Sequence, residues 1–386
     1  MLHPSARAAI APFLAMEVAR EAGARTASGQ SIVRFDVGQP GQAAPEAALR
    51  AAERAIRADT LGYSDGLGLP ALRRAIADWY GAQHDLSISP DRIAITTGAS
   101  GAFVLAFLAL FGDGARVAMA APGYPPYRHI LTALGMKPAL IDAQAGEKFQ
   151  LTPAHLETLA AAAPLAGAVI ASPANPTGAM LTRDELAALT HAVQVQEGAL
   201  ISDEIYHGLT YGAPATSALA VAPDAVVINS FSKYWGMTGW RVGWIVAPAG
   251  LVPAIERLSQ NLAICPPAIS QHAALGALTA ADECENRRLV FANNHALLVE
   301  ALPSLGLAPA TTPDGAFYVL IDISRHSDDS LAFCRRALEE AHVALTPGLD
   351  FCDTRGRGWA RLAFCQPTAQ IEEGLARLAR WLAKKS

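Results

Sequence analysis

The feature that most restricts how this chain can fold is an alternation between residues 92 and 247. Short β-rich runs at 92–96, 116–121, 167–172, 199–204, 225–230 and 242–247 are separated by longer helical patterns. The runs are apolar at nearly every position, so both faces of each strand need cover. Strands covered on both faces and separated by helices predict a mostly parallel sheet wrapped by helices, an α/β fold. One crossover helix is spelled out at 182–196: Thr182 and Glu185 form a capping box, and Leu186, Leu189 and Val193 follow at helical spacing. After Cys284 the pattern changes to a helical stretch, a hairpin-like 315–323, a helix at 331–341, a strand near 360–364 and a final helix. That order suits a smaller α+β domain with the N-terminal segment packed beside it. A chain of 386 residues is too long for one simple core, and we place the large domain at 45–280 and the small one at 1–44 with 281–386.

Charge excludes several functions. The net charge of −5 is scattered rather than gathered in blocks, which argues against a nucleic-acid footprint or a polybasic membrane patch. Small molecules are the expected partners. The apolar run at 8–16 is interrupted by Pro12 and followed by Glu17, unlike a secretory signal. The apolar stretch at 160–173 is shorter than the ~20 residues a membrane span needs. Five cysteines, all in the last third, show no CxxC or Cys/His metal spacing, so a reduced, cytoplasmic protein is expected.

In an open α/β sheet, ligands bind beyond the carboxyl ends of the strands, where loops converge and helix N-termini point inward. Several polar groups follow strands here. Thr97-Gly98-Ala99-Ser100 opens an apolar helix, and its small residues would let a phosphate reach free N–H groups; a capped strand-to-helix turn explains it as well. Tyr124 sits among Pro122, Pro125 and Pro126, either fixed to face a flat ligand or simply in a rigid turn. Asn175-Pro176-Thr177-Gly178 is ordinary turn chemistry that could still offer an amide. Asp203 ends an apolar strand, where a buried carboxylate costs several kcal/mol unless a cation or strong donor meets it. Lys233, in Ser230-Phe231-Ser232-Lys233, sits at another strand end, although lysines are almost never buried without a partner; a solvated loop lysine is the alternative.

The order of these fragments carries more than any one of them. Asn-Pro-Thr-Gly at 175–178, Asp-Glu-Ile-Tyr at 203–206 and Ser-Phe-Ser-Lys-Tyr-Trp-Gly-Met-Thr-Gly-Trp-Arg at 230–241 resemble the class I/II aminotransferases of the fold type I pyridoxal 5′-phosphate (PLP) enzymes. With Tyr63-Ser64-Asp65-Gly66-Leu67-Gly68 upstream and Arg361 downstream, the likeness covers nearly the whole chain. It implies a seven-stranded, mostly parallel sheet in the large domain and PLP held as an imine on Lys233. By the same likeness Asp203 pairs with the pyridine nitrogen and keeps it protonated, and freed Lys233 moves a proton between substrate and cofactor. Asn175 and Tyr206 hydrogen-bond the phenolic oxygen, and Tyr124 stacks on the ring. Gly98, Ala99, Ser100, Ser230, Ser232 and Arg241 hold the phosphate. Arg361 grips the substrate α-carboxylate with a two-pronged contact, beside Asn175 and the backbone of Gly38. Gln39 and Gly41 depart from the acidic residues that many relatives carry there.

The resemblance implies transfer of an amino group from an amino acid to a 2-oxo acid in a ping-pong cycle. A carbon–sulfur β-lyase of the same fold would share these cofactor residues. A sensor that keeps the enzyme body would normally add a DNA-binding segment, and no basic helix-turn-helix pattern precedes Gly38. Tyr63 matches a tyrosine that reaches the phosphate of the neighbouring subunit, so a homodimer with shared sites is expected. No second cation for a distal carboxylate stands out among Arg7, Arg25 and Arg128. Phe13, Phe317 and Tyr318 could line an apolar pocket or simply pack the core.

Overall fold

The computed structural model describes residues 3–384. Its strands, in chain order, begin with β1 (Val33–Arg34). The large sheet takes β2 (Ile93–Thr96), β3 (Arg116–Ala121), β4 (Lys137–Asp142), β5 (Gly167–Ala171), β6 (Ala199–Asp203), β7 (Val226–Ser230) and β8 (Gly243–Val246). The last third adds β9 (Tyr318–Asp322), β10 (Val343–Ala344), β11 (Thr346–Pro347) and β12 (Trp359–Ala363). The seven-stranded sheet has the order β2-β8-β7-β6-β5-β3-β4, and only β8 runs against its neighbours. The expected α/β architecture is therefore present.

Successive residues of each strand point to opposite faces, and two cores result. Ile93, Ile95, Leu200, Val227 and Trp244 belong to one cluster. Ala94, Met119, Ile201, Ile228 and Ile245 belong to the other. Helices α1 (Leu14–Ala27), α2 (Glu46–Ala58) and α3 (Pro70–His84) precede the sheet, and α4 (Gly98–Leu110), α5 (Pro125–Ala133), α6 (Pro153–Ala162) and α7 (Arg183–Val195) cross between its strands. After β8 come α8 (Val252–Leu262), α9 (Ala268–Ala277) and α10 (Ala281–Ala301), then α11 (Ser330–Arg336) and α12 (Thr368–Ala383). Helices α4, α5 and α8 supply the second cluster, with Phe103, Leu131 and Ile255. Helices α2, α3, α7 and α9 supply the first, with Ala48, Leu72, Leu189 and Ala273. The Thr182–Glu185 capping box forms as read, with Glu185 N donating to Thr182 Oγ1 and Thr182 N to Glu185 Oε2.

A third core gathers Val33, Phe35, Phe291, Val319, Leu362 and Leu378 around a three-stranded antiparallel sheet, β11-β12-β9. Two sequence expectations need correction here. The 315–323 stretch is not a hairpin: β9 pairs with the distant β12, while Gly315 N and Ala316 N bond back to Gly178 O and Leu209 O. Second, β4 was missing from the predicted strands. It is an edge strand with exposed Lys137 and a proline at 138, so it lacks the two-sided apolar pattern of a central strand and tolerates a residue without an N–H.

Candidate active site

The antiparallel strand β8 decides the layout of one end of the site. Its first residue, Gly243, lies opposite Thr96 of β2 and Ser230 of β7. The segment before it therefore arrives at the rim where the parallel strands end. Arg241 stands there with a left-handed backbone (φ 50°), donating through Nη1 to Thr238 O at 2.9 Å. Its guanidinium faces the first turn of α4, so closely that a Cβ on Gly98 would overlap Nη2. Gly98 also has φ +70°, so glycine is required twice over. A guanidinium and the positive end of a helix dipole, side by side, make a seat for an anion. Ser232 adds a hydroxyl, held by Ser230 Oγ at 2.9 Å, which itself donates to Val242 O.

Beyond this seat lies Asp203, the last residue of β6 and 4% exposed. It accepts from Ile205 N at 3.0 Å and from the hydroxyl of Tyr127. Burial pushes its pKa up to about 6, partly offset by the Tyr127 hydrogen bond. Lys233 follows β7, and its Nζ donates to Gly38 O at 2.7 Å. Burial is the main cause lowering its pKa to about 8, and the Arg361 and Arg241 charges add to it. An amine and a carboxylate are thus both drawn toward neutrality in one pocket.

The opposite end is set by Arg361, on β12 and 3% exposed. Its Nη1 donates to Asn175 Oδ1 at 3.0 Å, and Nη2 to Asp36 O at 2.5 Å and Thr346 Oγ1 at 3.1 Å. The guanidinium lies over the rings of Tyr318 and Phe351, 4.4 and 4.9 Å from their centroids. Among the described residues its Nε has no hydrogen-bond partner, and none of its hydrogen bonds goes to a carboxylate. A buried cation in that state is prepared for an anion from outside. Tyr318 also accepts from Tyr206 Oη at 3.0 Å and abuts Gly38, where any Cβ would overlap its hydroxyl.

These groups share one cavity of about 220 Å³. Of the residues expected from sequence, Gly38, Ala99, Ser100, Tyr124, Asn175, Asp203, Tyr206, Ser232, Lys233, Arg241 and Arg361 line it. Gly98 and Ser230 stand behind the wall and shape it. Tyr63 lies outside it, with 83% of its surface exposed. Sequence reasoning missed Tyr127, Asp36 and Thr238, which also line the cavity. For Tyr127 a signal existed: it follows Tyr124 by three residues at the start of α5, a spacing that puts both rings on one face. Phe13 and Tyr318 do reach the cavity, whereas Phe317 is fully buried in the third core. Arg7 and Arg128 bind Asp113 and Asp353 instead, and Arg25 binds Glu21.

Comparison with known proteins gives a consistent result. The family described as aminotransferase class I and II matches residues 30–378. The valine–pyruvate aminotransferase of Mycobacterium tuberculosis is 46% identical over 380 residues, 97% of each chain. A probable N-acetyl-LL-diaminopimelate aminotransferase of Bacillus subtilis is 34% identical over 93% of this chain and 91% of its own. Among solved structures, an aminotransferase from Mycobacterium tuberculosis superposes with TM-score 0.96 at 45% identity over the full length of both chains. Thermus thermophilus aspartate aminotransferase with maleate superposes with TM-score 0.92 at 31% identity, covering 98% of this chain and all of that one. With the family match over residues 30–378 and relatives that share its sequence and fold over nearly the full chain, this chain belongs to the class I and II aminotransferases.

Proposed function

We propose that the protein moves an amino group between an amino acid with an apolar side chain and a 2-oxo acid, using PLP attached at Lys233. The observation that carries the reading is one pocket in which a lysine amine, a buried carboxylate and a guanidinium without a carboxylate partner face a common space. PLP fits these residues. The anion seat at Ala99, Ser100, Ser232 and Arg241 suits its phosphate, and the orphaned burial cost of Asp203 is answered by a protonated pyridine nitrogen. The Tyr124 ring offers a flat wall, and Tyr206 and Asn175 offer polar atoms for a phenolic oxygen. When bound, the cofactor supplies an electron sink that weakens the bonds at the substrate Cα.

The chain's own residues do the rest. Arg361 and Asn175 hold the α-carboxylate, which sets the orientation of Cα. Lys233, with a pKa of about 8, is poised to take a proton from Cα and to return it near neutral pH. Asp203 keeps its negative charge opposite the ring nitrogen. Phe13, Met16, Phe103 and Ile130 supply apolar lining, and the lining cations are Lys233, Arg241 and Arg361, each assigned above. That leaves an apolar substrate side chain as the best match, in line with the valine–pyruvate relative.

Several coarser features belong to the same proposal. Tyr63, Ile56, Leu262 and Ile264 are exposed, and Ser64 and Gly66 are bonded to Gln271 and Ser259 beside them. This supports a homodimer in which Tyr63 reaches the partner's anion seat. The free thiols of all five cysteines support a cytoplasmic location. Separate cores support a large domain at 45–280 and a small one at 1–44 with 281–386.

Borohydride reduction followed by peptide mapping should place the cofactor label on Lys233, and label elsewhere would refute the assignment. A panel of amino donors with pyruvate should show fastest transfer from aliphatic donors. Release of pyruvate and ammonia without transfer would instead indicate the β-lyase.

A further inference from the structure

Behind Asp203, on the other face of the sheet, lies a polar cluster that the reaction above does not use. Asp203 turns toward α5, and the next residue, Glu204, turns toward α3. Glu204 is 1% exposed and His207 2%. Glu204 Oε1 accepts from Ala218 N at 2.7 Å, Ser217 Oγ at 3.1 Å and Ser202 Oγ at 3.3 Å. Oε2 has no hydrogen-bond partner among the described residues and lies 3.4 Å from His207 Nδ1. The other ring nitrogen of His207, Nε2, is 3.0 Å from Ser172 O. Ser172 follows β5 directly and opens the turn that carries Asn175, and its own N donates to Asp203 O.

The proton positions follow from chemistry. A carbonyl only accepts, so His207 Nε2 must carry hydrogen. In a neutral ring Nδ1 then presents a lone pair toward Glu204 Oε2, and two acceptors facing each other in a buried site repel. A single proton between them removes the conflict. We propose that Glu204 and His207 share one buried proton and act as positioning residues, pinning the Asn175 turn to the strand end that carries Asp203. This role rests on the functions proposed above for Asn175 and Asp203.

The surrounding groups agree. Burial pushes Glu204 up to about 7 and His207 down to about 4, so both shifts favour a neutral pair over a carboxylate–imidazolium pair. His84 of α3, with Nε2 3.4 Å from His207 Nδ1, is likewise lowered to about 4 by burial. Tyr80 of α3 also faces the Glu204 charge, and Asp203 feels it from the opposite face of β6. An ionised Glu204 would therefore meet no cation within the cluster.

The test combines a structural readout with kinetics on the full chain. Nitrogen NMR of the histidine rings, with and without PLP, should show His207 as the neutral Nε2–H tautomer over roughly pH 6–8. Glu204→Gln keeps an N–H to face Nδ1, so its KM for the amino donor should stay within about threefold of the parent. Glu204→Leu and His207→Phe should raise that KM by about tenfold or more, with a smaller change in kcat. An imidazolium or Nδ1–H tautomer at His207, or a Gln variant as impaired as the Leu variant, would overturn the proposal. Should Glu204→Leu fail to fold, the Gln variant and the tautomer still decide. A correct tautomer in a protein that transfers no amino group would sink the proposed function alone, because the tautomer is read without substrate.

Discussion

Arg361 and Asn175 are joined by a 3.0 Å hydrogen bond across 186 residues of sequence. One sits on the small antiparallel sheet and the other in the turn after β5 of the large sheet. Because Asn175 Oδ1 accepts from the guanidinium, its position fixes the direction of the remaining N–H groups. The site that would receive a carboxylate is therefore built from both halves of the molecule, and the relative placement of the two sheets controls it.

Arg361→Lys should raise KM for the amino donor by roughly tenfold to a hundredfold, with a smaller fall in kcat. A lysine has no planar fork to serve Asn175 and a carboxylate together, and a charged hydrogen bond is worth about 1.5–3 kcal/mol. Steady-state kinetics with a fixed 2-oxo acid would show it. An unchanged KM would remove Arg361 from substrate binding.

Asp203→Asn should separate stability from function. The carboxyl has a folded-state pKa of about 6 against an ordinary 3.8. Its contribution to stability is thus complete below 3.8 and is lost as pH rises through 6. Without cofactor the Asn variant should be more stable than the parent at pH 8, by on the order of 3 kcal/mol, and gain nothing at pH 4. Its hold on PLP should weaken. Thermal unfolding of the cofactor-free proteins at the two pH values is the measurement.

Lys233→Ala should abolish turnover and leave the fold intact. The amine's pKa is lowered to about 8 from 10.5, so its favourable contribution is present above 10.5 and lost as pH falls through 8. The cofactor-free variant is expected to melt above the parent at pH 7, and that difference should narrow at pH 10.5. Parental rates in the variant would contradict the role assigned to this lysine.

Gly38→Ala should damage the pocket despite adding a single carbon. The new Cβ would overlap the Tyr318 hydroxyl, and forcing the ring aside costs about 1–3 kcal/mol. It would also shift the carbonyl that Lys233 Nζ holds at 2.7 Å. Pairing it with Tyr318→Ala should recover part of the lost stability, so a double-mutant cycle should show a coupling of at least about 0.5 kcal/mol. Strict additivity would argue against the contact.

Asp350→Ala should loosen the segment that carries Phe13 and Met16. The Asp350 carboxylate accepts from Leu14 N and Ala15 N, both at 3.0 Å, at the start of α1. Losing this cap should cost about 1–2 kcal/mol. Faster amide exchange confined to the first turns of α1, with a higher KM for aliphatic donors, is the expected outcome.

Much of this was legible in the chain itself. Two-sided apolar strands at regular intervals need helices on both faces, and polar residues after those strands need a common rim, so Asn175, Asp203 and Lys233 stood out as candidates locally, while their roles came from the family likeness that the motif order carries. Edge strand β4 escaped because a strand with one covered face carries Lys137 and Pro138 without penalty. Tyr127 escaped because nothing in its local sequence says that its hydroxyl would reach Asp203, 76 residues further along the chain. What the sequence by itself determined was the set of strand ends and the residue types placed on them, because burial and period act over a few neighbours. Only the tertiary structure decided that β8 runs backwards, bringing Arg241 to the anion seat, and that β12 delivers Arg361 to Asn175. Strand direction and long-range pairing depend on contacts between segments far apart in sequence, which no local pattern encodes.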